Sequence, residues 1–124
     1  MSNIYPYLTV AIGGGLGAMA RFGLSQYFMR YAHLNFPIGT LIANFIGCLG
    51  LGLLAGWLER NIINEFTRLL LMVGFMGALT TFSTFSMEFI FFAKQGEIIR
   101  GLTYVGISFI FGFALFAIGY YGAR

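Results

Sequence analysis

Four long apolar runs, joined by connections too short to fold alone, account for most of this 124-residue chain. They cover roughly residues 5–29, 37–58, 67–93 and 98–121. About 20 apolar residues in an α-helix cross the roughly 30 Å hydrocarbon core of a bilayer. The pattern predicts an all-α integral membrane protein with four transmembrane helices in a single domain over 1–124. Nearly all the charge lies in the connections, at 30–36, 59–66 and 94–97. Loops this short make consecutive spans antiparallel neighbours. Pro6 and Pro37 stand where a span can open, because a missing N–H is harmless in the first helical turn. The start, Met-Ser-Asn-Ile-Tyr-Pro, lacks the basic residues of a secretory signal, and the first run is long enough to span.

Charge and composition exclude several functions. Charged residues make up 9% of the chain, against about 25% in a soluble domain. The net charge of +3 comes from seven scattered basic residues that form no patch, so nucleic acid is not an expected partner. One cysteine, Cys48, allows neither an internal disulfide nor a cysteine metal cluster. His33 is the sole histidine and reads as a loop residue. One His and one Cys assemble no nucleophile–base pair and no metal centre, so no enzyme is expected.

The third run is too long and too polar for a plain lipid-facing helix. Taken whole, it would measure about 42 Å. Gly74 and Gly77 weaken it, and Thr80, Thr81, Ser83, Thr84 and Ser86 crowd hydroxyls into its centre. Broken helices at membrane depth persist only where protein or a water-filled cavity satisfies the freed backbone groups. The run is expected to form two half-helices meeting at a break around Gly77 to Thr80.

Polar residues elsewhere share stripes with small ones. The first run holds Gly13-Gly-Gly-Leu-Gly-Ala18, a close-packing sequence with no strand before it and no Lys-Ser/Thr after it, so a phosphate loop is excluded. Arg21 follows, costly in lipid unless it snorkels, pairs or faces a water-filled cavity. In the second run Thr40, Asn44 and Cys48 fall at i, i+4, i+8, beside a stripe of Gly39, Ala43 and Gly47. Asn44 has two readings: an interhelical hydrogen bond or a pore lining. Gly52 and Gly56 continue the packing theme, and Trp57 stands at an interfacial position. Phe82 and Phe85 lie on one helical face, extended by Phe89 and Phe92, with Glu88 one turn past Thr84. Such a row has two readings, side-chain packing or phenyl rings whose positive edges face a small anion without a full charge, and the neighbouring hydroxyls raise the second. In the fourth run Tyr104, Ser108 and Gly112 repeat the polar–small stripe.

The basic residues balance across the membrane. Four spans place both termini on one side, with Arg60, Arg68 and Arg124, and leave Arg30, Lys94 and Arg100 on the other. Of the seven basic residues, setting aside Arg21 leaves three against three. Orientation follows Lys/Arg bias in short loops, so the chain is expected to insert both ways up and pair as an antiparallel homodimer.

Three segments in order now resemble one family across essentially the whole chain. Gly13-Gly-Gly-Leu-Gly-Ala-Met-Ala-Arg21, Gly39-Thr-Leu-Ile-Ala-Asn-Phe-Ile-Gly47 and Gly74-Phe-Met-Gly-Ala-Leu-Thr-Thr-Phe-Ser-Thr-Phe85 are similar to the CrcB/Fluc fluoride channels. The resemblance implies an antiparallel, dual-topology homodimer with two fluoride pores in the inner (plasma) membrane, exporting cytoplasmic fluoride by passive electrodiffusion. Phe82 and Phe85 match the phenylalanines that line the ion path, and Asn44 matches the pore asparagine. Thr40, Ser83, Thr84, Tyr104 and Ser108 resemble the polar track and pore wall. Arg21 resembles the arginine of the aqueous vestibule. Gly77 and Thr80 match a break whose carbonyls, from both subunits, hold a structural sodium ion; no organic cofactor is implied. Glu88 receives no task.

The chemistry agrees with an anion path. A fluoride pore must replace tightly held water with good donors, yet bind weakly enough to release, which neutral donors and ring edges achieve. Two rivals stand against this reading. A proton-coupled drug or cation exporter of similar size needs a deep acidic residue, for which Glu88 is the candidate, since no Asp or Glu precedes Glu59. A non-transporting assembly subunit explains the glycines but leaves the hydroxyl-rich break without purpose.

Overall fold

The computed structural model describes residues 3–31 and 36–124; His33 lies outside the described residues. Helix α1 covers Tyr5–Tyr31 and α2 covers Ile38–Glu59. Glu65–Thr67, Arg68–Met76 and Gly77–Leu79 run on as one half-helix, α3. Ser83–Lys94 forms the second half, α4, and Ile98–Ala123 is α5. Among the described residues there is no strand, and the four spans are each long and apolar enough to cross a membrane.

Local chemistry ends the helices where it should. After α2, Asn61 turns left-handed at φ 58°, and the Asn61 and Ile62 N–H groups bond the Leu58 and Trp57 carbonyls. After α4, Gly96 at φ 76° does the same, with Gly96 N–H to Ala93 and Glu97 N–H to Phe92. Both are Schellman closures, which satisfy carbonyls that a helix end leaves without intrahelical partners. Asn64 starts α3, its side chain accepting from the Thr67 N–H at 2.9 Å.

The third span is interrupted, as its hydroxyls predict, but slightly later than expected. Gly77 keeps helical angles, φ −63° and ψ −36°. Thr80 swings to ψ 153°, and helix resumes only at Ser83. Before the interruption, Arg68–Met76 winds as a π-helix, a form found mostly in short stretches at functional sites. That winding presses Gly74 on α1, where an added Cβ would stand 3.0 Å from the Gly13 Cα and the Val10 carbonyl.

Packing divides the spans into two principal pairs, α1 with α3 and α2 with α5, while α4 leans on α5. Glycine makes both pairs possible. A Cβ at Gly17 would collide with the Phe75 backbone, and one at Gly52 with the backbone of Phe116. Lipid supplies no hydrophobic drive between helices, so close backbone contact and its dispersion energy hold such seams. The buried core lies where α2, α4 and α5 meet, around Leu41, Phe85, Phe92 and Tyr104. Ile12, Phe22, Ile110 and Phe111 point outward, as lipid-facing side chains of a membrane protein do.

Candidate functional site: a cleft at the helix break

The interruption is held open by side chains from two other spans. Asn44 on α2 reads the Thr81 backbone as a pair, its Oδ1 accepting the N–H at 2.8 Å and its Nδ2 donating to the carbonyl at 3.2 Å. Of the two readings open in the sequence, the interhelical hydrogen bond is present, and the same residue also lines a cleft. From α1, the Arg21 Nε donates to the Ala78 carbonyl at 3.1 Å. That places a cation at the C-terminal end of α3, where the helix dipole and unpaired carbonyls attract positive charge. Thr80 folds its hydroxyl back on the Met76 carbonyl at 3.1 Å. Across the interruption, the Thr81 hydroxyl accepts from the Thr84 N–H at 3.3 Å and so caps α4.

Beside this interruption lies a cleft of ≈ 320 Å³. Asn44, Thr80, Thr81, Phe82, Phe85 and Ser108 line it, together with Cys48 and the outer rings of α5. None of its lining residues is charged. The Ser108 Oγ is buried and makes no hydrogen bond among the described residues. Phe82 and Phe85 stand 5.9 Å apart between ring centroids, the first 73% exposed and the second buried. Phe85 packs in turn on Tyr104 at 5.0 Å and edge-on to Phe109 at 6.0 Å.

The other sequence candidates fall outside the cleft wall. Thr40 and Tyr104 are buried behind Phe85 and converge on Glu88, whose carboxylate accepts from the Tyr104 hydroxyl at 3.4 Å. Ser83 is exposed and stands 3.5 Å from the Thr81 hydroxyl; Thr84 gives only its backbone N–H to this network. Gly77 lies inside α3, its carbonyl 3.5 Å from the Thr80 hydroxyl.

Sequence reasoning missed two residues that organise the site. Thr81 is its hub, and the available signal was a threonine just ahead of a helical run, three residues before the Thr84 N–H that it accepts. Glu88 gains partners because it sits three residues beyond Phe85 and so shares its face toward α5.

Comparison with known proteins sets this geometry in a family. Residues 8–120 match the profile described as CrcB-like protein, Camphor Resistance (CrcB). The chain belongs to the CrcB family. A relative from Desulfotalea psychrophila, named fluoride-specific ion channel FluC, is 40% identical over 98% of this chain and 94% of its own. One from Idiomarina loihiensis with the same name is 41% identical over 84% and 81%. A third of that name, from Hyphomonas neptunium, is 38% identical over 95% and 94%. These CrcB relatives are named as channels, a class without enzymatic chemistry, in keeping with the multi-pass membrane architecture.

Proposed function

We propose that this protein is a fluoride-selective channel, which lets cytoplasmic fluoride leave through the inner (plasma) membrane by passive electrodiffusion. The observation that carries the reading is the cleft, where neutral donors and two phenyl rings converge at the broken span. Relatives about as long as this chain are named fluoride-specific ion channels, which supports the same choice of ion. Asn44 spends one amide N–H on Thr81 and keeps a second for an anion. The unpartnered Ser108 hydroxyl is a further donor, and the edges of Phe82 and Phe85 add weak positive potential. With no full charge in the wall, fluoride is bound and then released. Thr40 and Tyr104, with Glu88, continue the polar path beyond Phe85, while Ser83 and Thr84 extend it along α4. Arg21 keeps positive potential at the vestibule side of the break.

The working unit in this reading is an antiparallel homodimer with two pores, surrounded by lipid. The balanced basic residues support dual insertion, and a second copy would close the open cleft over the exposed Phe82 ring. A sodium ion fits the break as its structural centre. No hydrogen bond among the described residues reaches the Thr80 carbonyl, and Gly77 offers its own nearby. Unwound backbone carbonyls are the ligands that sodium takes in other membrane proteins. Bound there, it would supply fixed positive charge at the dimer centre.

Anion efflux from liposomes holding the purified protein tests the proposal. Rapid fluoride efflux without chloride efflux, abolished by Phe82→Ile, is the expected result. Absence of fluoride flux, with proton-linked uptake of an organic cation that needs Glu88, would overturn it in favour of the exporter.

A further inference from the structure

A second opening, separate from the break cleft, lies where the end of α4 meets the starts of α2 and α5. Glu88, Gln95 and Glu97 line it together with the rings of Phe36, Phe91 and Phe92. Glu88 joins the two regions, because its partner Tyr104 packs on Phe85 of the cleft. An anion passing Phe85 and Tyr104 would therefore meet this opening next, and there it would face two carboxylates. Like charge at a mouth lowers the local concentration of a permeating ion and slows its passage.

Arg100 stands against that acidic mouth and is held from several directions. Its Nη1 lies 3.2 Å from the Glu97 carboxylate. Its guanidinium also sits 5.9 Å from the Phe36 ring centre and 5.5 Å from that of Phe92, two rings of the same opening. A planar guanidinium can pair with a carboxylate and cover ring faces at once, which fixes where its charge sits.

We propose that Arg100 is a positioning residue for conduction: by pairing with Glu97 it cancels one of two carboxylate charges at the Glu88 opening. It thereby sets the rate at which fluoride passes that end of the path. The inference rests on the channel reading and concerns rate, not selectivity. The pair is partly exposed, with side-chain accessibilities of 42% and 40%, so dissolved salt screens its effect. The Debye length shrinks from about 30 Å at 0.01 M to about 10 Å at 0.1 M, and the effect belongs to the dilute regime.

Unitary fluoride current in planar bilayers, at low fluoride and low ionic strength, tests this independently of protein yield. Arg100→Gln is expected to lower the current about two- to fivefold, with the loss shrinking as an impermeant salt is added. Arg100→Lys keeps most of the current, and Arg100→Gln combined with Glu97→Gln returns it to the wild-type level. Glu97→Gln alone raises it, which keeps the proposal testable if Arg100→Gln does not fold. An unchanged current in Arg100→Gln, a double variant as slow as the single, or a Glu97→Gln current no higher than wild type would each overturn the inference. A wild-type protein that carries no fluoride current would instead refute the channel reading itself.

Discussion

Along one end of their length, α2 and α5 approach so closely that no side chain fits at Gly52, Gly56 or Gly119; nearer the break, the same two helices part around a cleft. At the seam, a Cβ on Gly119 would stand 2.5 Å from the Leu49 carbonyl, and one on Gly56 2.7 Å from that of Tyr120. At the cleft, α2 contributes Asn44 and Cys48 while α5 contributes Ser108, Phe109 and Phe113. Phe116 belongs to both, giving its backbone to Gly52 and its ring to the cleft. The seam has one acceptable side chain, a hydrogen atom, because dispersion between backbones is what holds helices together in lipid. The cleft tolerates bulk but requires polar atoms at set positions, because the interrupted backbone and any passing ion both need partners.

The largest expected effect comes from filling the seam. Gly52→Val pushes two branching methyls into the Phe116 backbone, which cannot retract as a flexible side chain would. The cost is expected to exceed about 3 kcal/mol, the upper end of ordinary overpacking. Thermal unfolding in detergent should show little folded protein; a variant as stable as wild type would mean that the seam is looser than its geometry states.

Next in size is the polar side of the comparison. Asn44→Ala leaves the part-buried Thr81 N–H and carbonyl without their partners, at a cost of about 1 kcal/mol, the lower end for a buried unsatisfied group. The folded protein survives but is less stable, and fluoride efflux falls to background. Equal stability combined with lost efflux would separate the two tasks of Asn44, leaving the break self-supporting and the asparagine a pore residue alone.

How far such features can be read from sequence depends on how local their causes are. The four spans follow from runs of apolar residues, and the glycine stripes from their spacing, so both were legible. The interruption was legible in kind, because Thr80, Thr81, Ser83 and Thr84 supply hydroxyls that no lipid-facing helix needs. Its position was legible only to within about a turn. Glycine at Gly77 permits a break without demanding one, and the chain departs from helix only where Asn44, 37 residues earlier, takes the Thr81 backbone. The π-winding of Arg68–Met76 likewise serves the contact of Gly74 with α1, a demand that side-chain periodicity does not record. Arg21 showed its cost in the sequence, and only the fold supplied its partner, the Ala78 carbonyl.

The smallest effect sharpens the contrast most, because it asks whether glycine matters wherever it occurs. Gly106 lies on α5 between Tyr104 and Ser108, and a Cβ built there meets nothing within 4 Å. An alanine at that position should not obstruct the fold, and it removes the extra backbone freedom that glycine has when unfolded. Gly106→Ala is therefore expected to stabilise the protein slightly, by no more than about 1 kcal/mol. Thermal unfolding in the same detergent, run beside Gly52→Val, reads the difference directly. A loss as large as that of the seam variant would mean that Gly106 also meets a backbone, one contributed by a second copy of the chain. The seam would then extend beyond the α2–α5 contact to the face on which two copies pair.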